Sequence, residues 1–297
     1  MVRIHIVNPT AGQGKSAEIC KKYTEDGDIV YETRYAGDVS DSVERFLAEQ
    51  TGEVRFFVYG GDGSVSEAVN GILRAGAADR AVLTPIPAGT GNDFIQMFAD
   101  GKPEEQRIDA ISVNGGYAVN MLNAGFDADV AAMISELKQK PFVSGSSAYI
   151  LGVVRRLCQK MGQPMTVSWT DENGETHTYR DDILLCAVGN ARFCGGGFCA
   201  APVASMADGL LDLLIVRRVS RLKFISLVGA YHDGTHIGAD GKPTAAFSAV
   251  MQYHKCTSMK ISGMKLFCRD GEVSDDTEAE ISLLPGILRV LPAPLIP

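Results

Sequence analysis

Asp62 stands alone in a turn of glycines, Gly60-Gly61-Asp62-Gly63, and this pairing of open backbone with one carboxylate points to particular chemistry. Glycines leave N–H groups uncovered, and a helix starting here adds its dipole, so the turn can cradle phosphate. An acid in that place repels phosphate unless a divalent cation lies between them, which suggests Mg²⁺-nucleotide chemistry. Two other loops share the texture. Asn8-Pro9-Thr10-Ala11-Gly12-Gln13-Gly14-Lys15-Ser16 offers glycines and a lysine. It fails as a Walker loop, because Pro9 stands where that pattern requires its first glycine. Pro87-Ala88-Gly89-Thr90-Gly91-Asn92-Asp93-Phe94 offers a hydroxyl, an amide and a carboxylate. Taken singly, each loop also reads as an ordinary connection: a flexible βα turn, a tight turn, a loop in which Asp93 is only an N-cap.

The elements around these loops favour a shared purpose. Val54 to Tyr59 is a short run of β-formers suited to a strand covered on both faces. Val65, Ala68, Val69, Ile72 and Leu73 then recur at helical spacing, with Ser64 as N-cap, Glu67 completing a capping box, and Gly71 and Gly76 marking where the helix weakens and stops. Strands over Arg3 to Val7, Asp28 to Tyr35 and Ala81 to Ile86, and helices over Ser16 to Tyr23 and Val39 to Gln50, complete a layered α/β pattern. Each loop follows a strand, and open α/β sheets bind ligands at the carboxyl ends of their strands. Beyond about residue 128 the texture becomes β-rich, after helices over Val130 to Leu137 and Ala148 to Met161. Strand-like segments run Met165 to Thr170, Thr176 to Tyr179, Ile183 to Val188, Leu210 to Val216, Thr257 to Ser262, Lys265 to Arg269 and Ala279 to Leu284, with a hairpin turn at Asp171-Glu172-Asn173-Gly174. The expected organisation is an α/β domain over 1–127, rejoined by 287–297, and a β-rich, sandwich-like domain over 128–286.

Composition sets bounds on this reading. The 297 residues carry a net charge of −8, with no basic, aromatic-interleaved stretch, which argues against nucleic acid as a partner. The seven cysteines form no CxxC pair and fit a reducing cytosol; Cys194 and Cys199 read as small packed residues. Neither a signal peptide nor a membrane span is evident, so a cytoplasmic protein is expected. His232 and His236 read as loop residues rather than metal ligands, and Asp275, Asp276, Glu278 and Glu280 as a solvated edge. Leu151, Val154 and Leu157 with Arg155 and Arg156 suit a core helix with two surface arginines better than a membrane-facing one.

The three loops, in this order and spacing, resemble the diacylglycerol kinase catalytic-domain family, which includes bacterial soluble lipid kinases and sphingosine kinases. The likeness continues through Asn123 to Val130 (NAGFDADV), Asn190 with Gly195-Gly196-Gly197, Asp208-Gly209-Leu210-Leu211-Asp212, and Asp270-Gly271-Glu272. It implies an ATP site lined by Asn8, Pro9, Thr10, Ala11, Gly12, Thr33, Gly60, Gly61, Asp62, Gly63, Ser64, Ser66, Glu67 and Thr90, with Asn92 and Asp93 beside it. It implies Asp62 organising the catalytic Mg²⁺, Glu272 as the base for the acceptor hydroxyl, and Asp270 and Asp127 near the acceptor or the metal. In bacterial members a second, structural Mg²⁺ lies by the DGxLD element, which here points to Ser205, Asp208 and the carbonyl of Leu210. Two departures stand out. Ser64 replaces a threonine but keeps its hydroxyl, and Arg269 beside the DGE acids would make a weaker base.

The resemblance implies an ATP-dependent kinase acting on a membrane lipid alcohol, diacylglycerol first, at a peripheral membrane surface. Arg217, Arg218, Arg221 and Lys223 form a local basic cluster that would offset the overall acidity there. An NAD kinase shares the GGDG turn, and a non-catalytic nucleotide or lipid sensor shares the fold; both stay open. A homodimer through the β-rich domain is an expectation by analogy alone.

Overall fold

The computed structural model describes residues 1–89, 92–99, 104–138, 155–157 and 159–293. Thr90, Leu151 and Val154, together with most of the helix expected over Ala148 to Met161, lie outside the described residues.

The first half is a parallel sheet. Strands β1 (Val2–Val7), β2 (Ile29–Glu32), β3 (Val54–Gly60) and β4 (Ala81–Pro87) lie in the order β2-β1-β3-β4. Near-continuous burial of β3 and β4 follows from cover on both faces. Helices α2 (Asp38–Glu49) and α3 (Asp62–Arg74) form one layer, sharing a core with Ile4, Phe56, Val58 and Leu83. The opposite face carries Phe57, Tyr59 and Ile86, against Cys20 of α1 (Ser16–Lys21). Gly71 does not weaken α3. It sits where a Cβ would come within 2.7 Å of the Ser40 carbonyl oxygen, so its lack of a side chain lets α3 lie close against α2, and α3 continues past it to Arg74. Gly76, at φ +61°, turns the chain after the helix.

The short helix α4 (Asp93–Gln96) leads through β5 (Gln106–Val113), β6 (Gly116–Ala118) and β7 (Met121–Gly125) into α5 (Phe126–Lys138). The β-rich half then adds β8 (Gln163–Asp171), β9 (Thr176–Gly189), β10 (Leu211–Arg217), α6 (Arg221–His232), β11 (Met251–Ser262), β12 (Phe267–Arg269), β13 (Glu272–Ser274) and β14 (Glu278–Val290). The two segments expected at Thr176 to Tyr179 and Ile183 to Val188 are one strand, β9. Its first half pairs with β8 and its second with β7 and β10, so it turns the corner between two layers. β11 behaves alike, pairing with β10 early and with β8 and β14 late, and it begins six residues before the expected Thr257 (Met251). The Asp171 hairpin forms as expected: Gly174 has φ +82°, and Asp171 Oδ1 accepts the Asn173 and Glu175 amides. β14 joins the halves, running antiparallel to β5 and β11 and then, past an irregularity between Leu284 and Leu288, parallel to β4 at Arg289 and Val290.

Candidate active site

Parallel register brings the three glycine loops together. Val7 pairs with Tyr59, and Gly60 with Pro87, so all three loops leave the same sheet edge. Backbone bonds stitch them further: the Asn8 amide donates to Tyr59 and the Ala88 amide to Gly60. Asn8 Oδ1 accepts both the amide and the hydroxyl of Thr10, closing an Asx turn over Pro9, and the Asn8 carbonyl accepts the Ser16 hydroxyl at 2.6 Å. Ala11 leads into Gly12, which has φ +60° and would place a Cβ 2.2 Å from the Ala88 carbonyl oxygen; only glycine lets the first loop lie on the third. Thr33, at the end of β2, donates its amide to the Val7 carbonyl beside the same loop.

The central turn differs from the expected capping box. α3 begins at Asp62 with Gly61 as its cap residue, and Ser64 lies inside the first turn, its hydroxyl filling the space a Gly60 side chain would need. Glu67 reaches away from its own helix, accepting the Gly37 and Val39 amides at the start of α2. Gly63 leaves open space beside the turn. Asp62 bridges to the third loop, its two oxygens accepting the Asp93 and Phe94 amides at 3.1 and 2.9 Å. Asp93 in turn accepts the Gly196 amide at 2.8 Å, so the glycine turn of the β-rich half meets the nucleotide half here. Burial, then the neighbouring Asp62 charge, raises the Asp93 carboxyl above its ordinary range. Each Asp62 oxygen keeps a lone pair, and the buried Asn92 Oδ1 has no partner. This set of hard oxygen donors fits Mg²⁺.

The DGE turn approaches from the other side. Asp270, at φ +46°, is half-buried, and its carboxylate accepts the Val119, Asn120 and Met121 amides at 2.8 to 3.0 Å and the Ser66 hydroxyl of α3. Burial raises its pKa, and those four donors oppose the shift. With its oxygens so engaged, Asp270 is a positioning residue rather than one free to meet acceptor or metal. It anchors the turn that presents Glu272. The Glu272 side chain is 58% exposed and pairs with Arg269 at 3.3 Å. Glu67 feels its charge: burial first, then Glu272 among others, raises the Glu67 carboxyl. The Asn70 amide group, exchanging hydrogen bonds with the Tyr117 backbone, fixes α3 to β6 nearby.

Asp127 is elsewhere. It lies in the first turn of α5, where the Tyr231 hydroxyl donates to it at 3.2 Å, and it lines an apolar cavity with Phe126, Phe198, Phe224 and Leu227. Burial pushes its carboxyl up to about 6.

The expected structural metal site is also different. The Leu210 amide donates to Asp208 Oδ1, and Ser205 accepts the Ala207 amide. The cation here is Lys255, whose ammonium bonds Asp208 at 2.9 Å and the fully buried Asp212 at 2.8 Å; the Tyr253 hydroxyl also donates to Asp212. Burial works against the Lys255 charge, but the two carboxylates outweigh it and hold its pKa above the ordinary value. These residues do not fit a divalent ion while that ammonium is in place.

Other buried groups hold the surroundings of the site in place. Asp109 accepts the Gly209 and Gly286 amides, tying the DGxLD turn to β14, and Asn190 donates to the Asp109 and Val119 carbonyls. Arg156 is no surface residue: it is buried on Asp129 at 2.6 Å and over the Phe126 ring. His236 is buried on the Ala200 carbonyl, and burial lowers its pKa.

A parallel-sheet half whose three glycine loops converge at one end of the strands, joined through β14 to a β-rich half carrying an exposed acid, defines a class: two-domain proteins of the diacylglycerol kinase and NAD kinase type. Comparison resolves the class further. Residues 3–123 match the diacylglycerol kinase catalytic domain, and residues 120–292 match the YegS C-terminal NAD kinase beta sandwich-like domain. A "Probable lipid kinase YegS-like" of Pseudomonas aeruginosa is 31% identical over 86% of this chain and 82% of that protein. Another of the same description, from Shewanella frigidimarina, is 30% identical over 62% of this chain, and the alignment spans 61% of its length. The crystal structure of a diacylglycerol kinase from Bacillus anthracis shares the fold, with a TM-score of 0.72 at 24% identity over 99% of this chain and 97% of that one. The chain belongs to the YegS-like lipid kinase family, with its diacylglycerol kinase catalytic domain.

Proposed function

We propose that the protein is an ATP-dependent lipid kinase that transfers the γ-phosphoryl group to a hydroxyl of a membrane lipid, diacylglycerol first, at the cytoplasmic membrane surface. The observation that carries this reading is the placement of Glu272. It is exposed on a turn of the β-rich half, yet near enough to α3 for its charge to act on Glu67. In this reading ATP lies along the three loops, its phosphates on the amides around Gly12 and Gly60 to Gly63. Asp62, Asp93 and Asn92 would hold Mg²⁺, which when bound neutralises phosphate charge. Glu272 accepts the proton of the acceptor hydroxyl as the new O–P bond forms and the bond to the β-phosphate oxygen breaks. Arg269 must loosen its grip for that proton to pass.

A transfer assay with γ-labelled ATP against diacylglycerol, phosphatidylglycerol-like and sphingoid lipids and NAD tests this directly. Label in a lipid alcohol is the expected result. Label in NAD alone overturns the acceptor class, and label in no product favours a nucleotide or lipid sensor.

A further inference from the structure

Helix α6 carries apolar side chains on two sides, an arrangement that a surface helix in water does not need. Its inner side, Phe224, Leu227, Val228 and Tyr231, lines the cavity that holds Asp127. Its outer side bears Leu222, 82% exposed, and Ile225, 57% exposed, one helical turn apart. Among the described residues only five large apolar side chains are exposed, and these two are the pair that share one helix.

Charge singles out the same corner. From Leu213 to His232 the chain has no carboxylate, while Arg217, Arg218, Arg221 and Lys223 fall within seven residues of a protein whose net charge is −8. Arg218 pairs with Asp182. Arg221 spends its guanidinium on the Leu157 and Gln159 carbonyls, drawing the 155–160 segment, with exposed Arg155 and Lys160, against α6. Arg217 and Lys223 are exposed, Arg217 within the field of Asp181. Exposed aliphatic side chains flanked by cations are how a helix seats in the headgroup layer of an anionic bilayer. An acidic protein would be repelled from such a bilayer on most of its surface, so its approach would be through this corner.

We infer that α6 is the membrane-contact element: it seats on an anionic lipid bilayer with Leu222 and Ile225 entering the acyl boundary and the flanking cations at the headgroups, so that the cavity behind it opens toward the lipid. This rests on the lipid-kinase reading above and adds where the bilayer meets the protein.

Sedimentation with phosphatidylcholine vesicles, with and without phosphatidylglycerol, tests it. Wild type should bind the anionic vesicles and release in high salt. Leu222→Ser with Ile225→Ser should weaken that binding by roughly tenfold or more, from the apolar area withheld. Turnover of a short-chain diacylglycerol dissolved as monomer should stay within about twofold of wild type. Ile225→Trp gives a second readout independent of the first, because the chain's one natural tryptophan lies far off in sequence, at position 169: anionic vesicles should shift its emission to the blue. Equal binding by wild type and the serine variant, or no Ile225→Trp shift, overturns the inference. So does a wild-type dimer that the serine variant dissolves, since a second copy then covers the face. Absence of label transfer to the short-chain lipid would instead overturn the kinase reading, leaving vesicle binding to stand or fall alone.

Discussion

The two halves of the molecule hold their reactive groups in different ways. In the parallel-sheet half, position is set by backbone: strand register delivers the loops, amide bonds join them, and Gly12 and Gly60 leave space for their neighbours. In the β-rich half, position is set by buried and half-buried side chains that reach far along the sequence. Asp270 grips the amides of residues 119–121, Lys255 spans Asp208 and Asp212, and Asp109 joins Gly209 to Gly286. The three loops are therefore held to one another by backbone contacts, which suits the phosphate-binding role proposed for them. The acid is carried on a turn whose position depends on a few replaceable contacts.

The sharpest division between the halves is tested by Glu272→Gln. Loss of the base should lower turnover by about 10²–10⁴-fold. Binding of a non-hydrolysable ATP analogue, measured by titration calorimetry, should be unchanged, because no loop of the cradle depends on Glu272. A parallel fall in nucleotide affinity would break the comparison.

That same difference decides what the sequence could disclose. The three loops are contiguous and each follows a strand, so Gly60 to Gly63 could be read as a phosphate turn before any fold was known. The partner of Glu67 could not. The capping-box pattern of Ser64 and Glu67 is a local rule, and the local rule yields to α2, whose unpaired amides at Gly37 and Val39 lie within reach. Asp270 reads as a reactive acid beside Glu272 until the amides of residues 119–121 are seen around it. Helix α6 leaves no trace in the pattern because apolar residues on both sides give no period to detect, and β9 looks like two strands because its burial changes where it passes between layers. Arg156 was misplaced for want of one distant partner, Asp129.

Lys255 offers the next test, of side-chain anchoring itself. Lys255→Met leaves Asp208 and the buried Asp212 facing each other without a cation, at a cost of about 3 kcal/mol. Thermal unfolding should fall accordingly, and millimolar Mg²⁺ should restore part of the loss in the variant while leaving wild type unmoved. Mg²⁺ stabilising both proteins alike would show that the ammonium does not stand in for a metal.

The smallest expected effect concerns Asp127, and its sign follows from burial. Its folded pKa is raised from 3.8 to about 6, so above pH 6 the native state holds a charge it disfavours, and that penalty disappears as the pH falls and the carboxyl takes up a proton. Asp127→Asn keeps the acceptor for the Tyr231 hydroxyl and removes the charge. The variant should therefore melt higher than wild type at pH 8, by roughly 2–4 °C for a gain near 1 kcal/mol. The gain should shrink as the pH falls from 6 and be gone below about pH 3.8, where the carboxyl is protonated in the native and unfolded states alike. The Mg²⁺ dependence of turnover should not move, because Asp127 lines the apolar cavity, apart from Asp62, Asp93 and Asn92, the donors proposed for the metal. A variant that needs far more Mg²⁺ would return Asp127 to the metal, and with it blur the separation between a backbone-built cradle and a side-chain-built acceptor side.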